Sequence, residues 1–316
     1  MIVKKDSINL KRIEPILRLK GNYSPGMAQP LHWKDSGNKL KFLTMKKISL
    51  LLSILVIVFT VQAQKREKRD VSNFTSISFK VGGKMYLKQG SVNSVELEGD
   101  DDVLAKIETR VEGGKLVIGR EDESSWFNWR SGWDDEKIIA YVTVKELDGL
   151  YASGSGNIIA QTKLVCDNMD IKVSGSGNIE AEIDAADVDA KVSGSGDLML
   201  KGKARSMDSD ISGSGKISFD GAIAGRLYIG ISGFGRLYAA GSADEIKSSI
   251  SGSGKVNAAD LVVDKCDVRI SGSGDVVVNV KSVLRTNISG SGSVTYRGNP
   301  SQLDSNSSGS GRLRKM

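Results

Sequence analysis

The stretch of this 316-residue sequence best suited to ligand chemistry is rich in aromatic residues and lies between two acidic clusters, residues 121–123 and 134–136. Aromatic faces stack on sugar rings while carboxylates accept hydrogen bonds from sugar hydroxyls, and aromatic residues also anchor protein partners. The alternative, which we favour, is that these side chains fold back as a lid over neighbouring strands. The candidate contact residues are Trp126, Phe127, Trp129 and Trp133.

A second group with chemical potential is a set of three aspartates, Asp170, Asp189 and Asp208, which recur about every 19 residues. If they stack, their like charges could attract a divalent cation, because carboxylate oxygens are its preferred ligands. Lys172 and Lys191 follow two of them after two residues, and neutralisation across strands explains the pattern without a metal. We therefore predict no metal site and no cofactor.

The side chain most used in acid–base catalysis is nearly absent from this sequence. The single histidine, His32, lies in a segment that we expect to be removed. We therefore predict that the protein is not an enzyme. The alternative is a carbohydrate-active β-helix enzyme similar to a polysaccharide lyase, which would need a groove with convergent carboxylates and cationic side chains.

An export signal precedes the part of the chain discussed so far. Met45-Lys46-Lys47 is followed by the apolar run 48–61, and small residues precede a cleavage point after Ala63. The run is shorter than the roughly 20 apolar residues of a membrane span. We therefore predict a signal peptide at 45–63 and no membrane span after cleavage. Residues 1–44 show no apolar periodicity, and we interpret them as a disordered gene-start artefact.

The formal net charge of +6 depends on this leader. Residues 1–63 contain 11 Lys and Arg against 3 Asp and Glu, whereas the rest of the chain contains 33 against 35. Removal of the leader therefore removes the positive charge that nucleic-acid binding requires. We predict an exported protein of the periplasm, outer surface or extracellular space, with no nucleic-acid partner.

The tetrapeptide Ser-Gly-x-Gly recurs at intervals of 18 to 21 residues. Apolar residues stand at constant offsets from the serine and alternate with polar residues, which is typical of strands with one buried face. Stacking the copies in register encloses a continuous core, and glycine permits the bend between strands. The pattern predicts an all-β fold, a parallel β-helix (β-solenoid) with coils of about 19–20 residues over residues 151–316. The repeated serines are Ser153, Ser174, Ser193, Ser212, Ser232, Ser251, Ser271, Ser289 and Ser308.

The two cysteines of an exported protein would ordinarily suggest a disulfide. The repeat places Cys166 and Cys266 five coils apart, about 24 Å at the spacing of strands. A disulfide needs Cα atoms within ~7 Å. We therefore predict two buried free thiols, with Cys166 level with a column of small residues. That predicted column contains Ala185, Ala204, Ala224, Ala243 and Val263.

The segment before the repeats alternates in the same way, but irregularly. We predict that residues 64–150 form an N-terminal β cap together with degenerate first coils, because terminal repeats must cover an open core. Asp100 to Arg110 could form a helical turn. A separate small β domain is the alternative.

The chain resembles a known family over about residues 71–311. The motifs that carry the resemblance are Phe74-x-x-Ile77-x-Phe79-x-Val81-x-Gly83, Gly99-Asp100-Asp101, Gly114-x-Leu116-x-Ile118 and the serial Ser-Gly-Ser-Gly copies. They are similar to those of the putative auto-transporter adhesin, head GIN domain family. The resemblance implies a right-handed β-helix and a surface or adhesion role, and it supplies no catalytic residues. One copy departs from the pattern, because Phe234 replaces the second serine and either plugs the bend or exposes an aromatic ring.

These observations together predict a non-enzymatic exported solenoid that binds cell-surface glycan or protein. A passive structural or assembly element of the cell envelope is a further alternative.

Overall fold

The computed structural model describes residues 65–120 and 138–316, and 77% of these residues lie in β-strands. Parallel coils stack into a β-solenoid of about nine turns, which confirms the predicted fold class. The predicted leader at 45–63 and the segment 1–44 lie outside the described residues. The first elements are β1 (Lys65–Arg69), β2 (Ser76–Phe79), β3 (Lys84–Gln89), β4 (Ser94–Gly99), α1 (Asp101–Leu104), β5 (Ile107–Glu112), β6 (Lys115–Arg120) and β7 (Ile139–Val144).

The remaining strands form the regular coils, and most of them continue around a corner of the solenoid. Ser174 pairs with Ser193, and Ser193 pairs with Ser212, so the motif serines of neighbouring coils stand side by side. The strands are β8 (Gly149–Gly154), β9 (Asn157–Ala160), β10 (Leu164–Gly175), β11 (Asn178–Gly194), β12 (Asp197–Gly213), β13 (Lys216–Gly233), β14 (Arg236–Gly252), β15 (Lys255–Gly272), β16 (Asp275–Gly290), β17 (Ser293–Arg297), β18 (Gln302–Gly309) and β19 (Arg312–Lys315).

The core consists of columns of aliphatic side chains that run along the solenoid. Each coil adds the residue before the motif serine and the residue five positions after it, and burial of these side chains is the main favourable contribution to folding. The last coil has a neighbour on one side only, and there Leu303 stays 42% exposed. Buried examples of the two columns are Val173, Val192, Ile211 and Ile231, and Ile179, Leu198, Ile217 and Leu237.

The bends require both glycines of the motif, for different reasons. The first glycine has a positive φ, as at Gly213 with +114°, and a Cβ there would lie 2.6 Å from the carbonyl oxygen of Gly194 in the previous coil. At the second glycine the problem is contact alone, since a Cβ on Gly196 would lie 2.2 Å from the Gly177 oxygen. Direct stacking of bends therefore excludes any side chain at these two positions.

The N-terminal strands do not follow sequence order in space. β2 lies between β6 and β8, and β3 lies between β7 and β9, always in parallel. The coil made by β2 and β3 comes first in the sequence, yet it is sandwiched between two coils that come later.

Antiparallel strands and one helical turn close this end of the solenoid. β5 pairs with β6, β4 pairs with β7, and β1 pairs with β4, all antiparallel. The turn of α1 places Leu104 in the core, with 1% of its surface exposed. These strands form the irregular N-terminal cap of the predicted fold class, whereas the predicted boundary after residue 150 stays a prediction.

Candidate functional site

The aromatic residues predicted as ligand contacts fall outside the described part of the chain. Trp126, Phe127, Trp129 and Trp133 belong to the segment 121–137, which connects β6 to β7. Their role as contacts, and the lid interpretation, both stay predictions.

The three aspartates of the sequence pattern stand side by side on the outer surface, as predicted. Asp170 pairs in register with Asp189, and Asp189 with Asp208. The Tyr151 hydroxyl donates a hydrogen bond to Asp170 Oδ2 at 2.8 Å, and Lys191 Nζ lies 2.5 Å from Asp189 Oδ2. The charge of Asp189 is thus neutralised by Lys191 of the same strand, and not by a lysine of a neighbouring strand.

Burial is the main cause of the pKa shifts of Tyr151 and Asp210, which lie beside this column. Partial burial, followed by the hydrogen bond to Asp170, raises the pKa of Tyr151 to about 12. Burial is also the main cause that raises the pKa of Asp210, against the lowering effect of Lys191. Within residues 65–120 and 138–316, no group of three or more His, Cys, Asp or Glu side chains is placed to hold a metal ion.

The cysteines are not bonded to each other, but their surroundings differ from the prediction in two respects. Cys266 is buried, whereas Cys166 is only half-buried. Burial is the main cause that raises the pKa of Cys166 to about 11, and it raises that of Cys266 further. The column of small residues also contains Ile223 where Ala224 was predicted, because the register shifts after Ala204 and the longer coil places its extra residue beyond Ile223.

Among the surface grooves of the described residues, two larger ones flank the Ser-Gly bends, one on each side. The Tyr228 groove, of about 520 Å³, lies on the side that precedes the bends. Its lining includes Lys172, Lys191, Asp210 and Tyr228 together with five of the motif serines and Ser249. It is therefore a largely hydroxyl-lined surface with one aromatic ring.

The Tyr238 groove, of about 550 Å³, lies on the side that follows the bends. One rim is the outward column six residues after each motif serine. The other rim is the column two residues further on, or three residues further on at Asp260, where the register shifts. Met199 and Tyr238, at 37% and 43% exposure, belong to the first rim. The first rim contains Glu180, Met199, Ser218, Tyr238 and Asn257, and the second contains Glu182, Lys201, Asp220, Ala240 and Asp260.

The first rim continues in register toward the capped end. Glu180 pairs with Ile159, which pairs with Tyr86, which pairs with Tyr141. The rings of Tyr86 and Tyr141 stack with their centroids 5.6 Å apart, and the Arg66 guanidinium lies 4.0 Å above the Tyr141 ring. One face of the solenoid therefore has an outward column with three tyrosines.

Sequence reasoning missed this column, although the alignment on the motif serine contained the signal. Met199 and Tyr238 are large apolar side chains at an offset that faces outward, and Phe234 lies on the bend between the two grooves. Phe234 is 68% exposed, so it presents an aromatic ring and does not plug the bend. Tyr228, Phe234 and Tyr238 of one turn thus expose three aromatic side chains in and between the grooves.

None of the helices in the described ranges could span a membrane.

No curated protein matches the chain.

Solved structures of bacterial proteins share the fold. A "putative lipid binding protein" from Parabacteroides distasonis ATCC 8503 is 24% identical with a TM-score of 0.60, over 81% of this chain and 98% of that chain. A putative adhesin from Parabacteroides merdae ATCC 43184 is 20% identical with a TM-score of 0.59, over 81% and 97%. A putative adhesin from P. distasonis is 21% identical with a TM-score of 0.60, over 80% and 96%. At these identities the likeness shows the fold.

The sequence match is more specific than the structural one. The profile of the family described as putative auto-transporter adhesin, head GIN domain, matches residues 73–239 and 219–300, which together span more than half of the chain. The match includes the N-terminal motifs and most of the Ser-Gly-x-Gly copies, and it confirms the resemblance stated above. The chain belongs to the putative auto-transporter adhesin, head GIN domain family.

Proposed function

We propose that this protein is an exported, non-enzymatic adhesin-type solenoid that binds glycan or protein at the cell surface. The observation that carries the proposal is the in-register stacking of the coils, which places outward side chains in straight columns about 4.8 Å apart. Such a rigid and repetitive surface can contact an extended ligand at several points without ordering a flexible loop, so less entropy is lost on binding.

Family membership supports the adhesin class, and the predicted signal peptide at 45–63 supports export. We also propose Trp126, Phe127, Trp129 and Trp133 as ligand contacts, and these residues lie outside the described part of the chain. One structural neighbour is described as a putative lipid binding protein, which makes lipid a useful comparison ligand in the test.

The test is a binding screen of the chain from Gln64 to Met316 against immobilised glycans, bacterial and host surface proteins, and lipid vesicles. We expect saturable binding to a glycan or a surface protein. Binding to lipid alone, or to none of these ligands, would contradict the proposal.

The same preparation is incubated with acidic and neutral polysaccharides, and newly formed reducing ends are measured. We expect none, because a binding surface holds its ligand without cleaving it. Steady release of reducing sugar would replace the adhesin proposal with the lyase-like alternative.

A further inference from the structure

We propose that the Tyr238 groove is a binding site for a neutral glycan chain lying along the solenoid axis. This inference rests on the proposed binding function and names its site and ligand class. It is independent of the aromatic segment between β6 and β7.

Two exposed apolar side chains are spaced along the first rim of the groove. Met199 and Tyr238 stand in one column with only Ser218 between them, so they are two coils, or about 9.6 Å, apart. The small serine leaves a notch between two exposed apolar side chains. Sugar rings present flat C–H faces to such side chains, and an aromatic ring at this exposure is a typical anchor of a bound ligand.

Charged side chains without a partner lie near this notch. Asp220 and Lys201 lie on the opposite rim, and Glu180 lies next to Met199 on the first rim. In the described part of the chain none of these three side chains makes an ion pair or a hydrogen bond, unlike Asp197, which lies 2.7 Å from Lys216. Unpaired carboxylate and ammonium groups can accept and donate hydrogen bonds to sugar hydroxyls.

The lining of the groove has more negative than positive charges. The groove lining contains four carboxylates, those of Glu180, Glu182, Asp220 and Asp260, against the single cation of Lys201. Lys163 and Arg297, which lie outside the lining, pair with Glu182 and Asp260, and a negative excess remains. An anionic polysaccharide would be repelled, so the charge favours an uncharged glycan.

The strand pairing under the groove favours a glycan over an extended peptide. Peptides that bind sheets usually add a strand to a free edge, where backbone groups are unpaired. The strands under this groove, β11 to β14, already pair with a neighbour on each side. A peptide would find no backbone partners here, whereas a glycan needs only side chains.

The experiment compares two tyrosines of the same turn. Tyr238→Ala removes the ring from the proposed site, and Tyr228→Ala removes a ring of similar exposure, 36%, from the other groove. Each variant of the chain Gln64–Met316 is titrated with the neutral oligosaccharide that binds best in a glycan array, and its fold is checked by circular dichroism and thermal melting.

We expect Tyr238→Ala to weaken binding by roughly tenfold or more, as is typical of an aromatic anchor, and Tyr228→Ala to leave it within about twofold. Tyr238→Phe keeps the stacking face and should retain most of the affinity. Asp220→Asn should weaken binding of the same sugar by a few fold, since it removes a charged acceptor.

Several outcomes overturn the inference while the binding function survives. These are loss of binding in Tyr228→Ala but not in Tyr238→Ala, no effect of either variant, a preference for anionic glycans, or binding to proteins alone. Absence of any glycan or protein ligand for the unmodified chain would contradict the proposed function itself.

Discussion

The regular coils and the capped end are built from the same alternating strands, yet they obtain their register in different ways. In the regular coils, each strand pairs in parallel with the strand one repeat later, and the bends stack directly. At the capped end, β1, β4 and β5 pair antiparallel, and the β2–β3 coil is enclosed by coils that follow it in the sequence. In the regular coils the sequence repeat therefore specifies the strand register. In the cap the register depends on contacts between segments that are distant in the sequence.

The outermost strand of the cap shows how the solenoid end is protected. β1 consists entirely of charged residues, which discourage pairing with another chain at a sheet edge. Arg66 donates to Glu98 at 2.8 Å, and Arg69 donates to the carbonyl oxygen of Leu104 at 2.9 Å, so this strand also holds α1 in place. The interior coils need no such device, because each has a neighbouring coil on both sides.

The largest effect should come from the core of the enclosed coil. Phe79 is fully buried in β2, which pairs with β6 on one side and β8 on the other. We expect Phe79→Ala to lower the free energy of unfolding by about 3–5 kcal/mol, measured by urea denaturation with circular dichroism.

The matched variant is Phe219→Ala in β13, where the ring is also buried but the coil is a regular one. We expect a smaller loss there, because neighbouring coils keep their own register. Equal losses in the two variants would show that the enclosed coil has no special importance for the cap.

The next largest effect should come from glycine substitutions, which we expect to destabilise the regular coils more than the cap. A Cβ on Gly213 combines a φ of +114° with a backbone contact at 2.6 Å, so Gly213→Ala should cost roughly 3 kcal/mol or more. Gly114 in the cap also has positive φ, but its nearest neighbour atom would be 4.0 Å away, so Gly114→Ala should cost about 1–2 kcal/mol. Thermal melting of both variants, with Ser214→Ala as an exposed control, measures the difference. If Gly114→Ala were the more damaging change, direct stacking would not be the reason for the repeated glycines.

A smaller effect of opposite sign is expected at one inward position of the regular coils. The Ser209 hydroxyl is fully buried and has no hydrogen-bond partner, so Ser209→Ala should raise the free energy of unfolding by about 1 kcal/mol. Thr286 occupies the same inward column but donates to Ser305 at 2.8 Å, so Thr286→Val should lower stability by a similar amount. Chemical denaturation of both variants checks the signs, and a loss in Ser209→Ala would reveal a partner for that hydroxyl.

The smallest effect should appear at the junction of the two regions and only at high pH. The pKa of Tyr151 is about 12 in the folded protein against 10 ordinarily, mainly because of burial. The neutral phenol is thus favoured by folding, and its contribution to stability is fully present below pH 10 and declines as the pH rises toward 12. Tyr151→Phe should flatten the pH dependence of stability in this range, and an ionisation near pH 12 in the absorbance titration of the unmodified chain should disappear in this variant. An ionisation of Tyr151 near pH 10 would contradict this.

Sequence reasoning reached the regular coils and their outward aspartates, because every inference there used residues within one repeat. It failed by one position at Ile223, where a longer coil shifts the register, and it placed Cys166 deeper than the structure does. It also missed the Tyr238 groove. An offset from a motif predicts that a side chain points outward, but which outward charges form ion pairs depends on side chains of other coils, as Glu182 does on Lys163.

The amino-acid sequence by itself determined the coil length, the inward columns and the glycine bends, because alternation and backbone freedom act over a few residues. Only the tertiary structure decided that β2 and β3 lie between later coils, and which outward side chains share a groove. Such strand pairings depend on the total apolar surface that the folded chain buries. This total cannot be obtained from the spacing of residues along the chain.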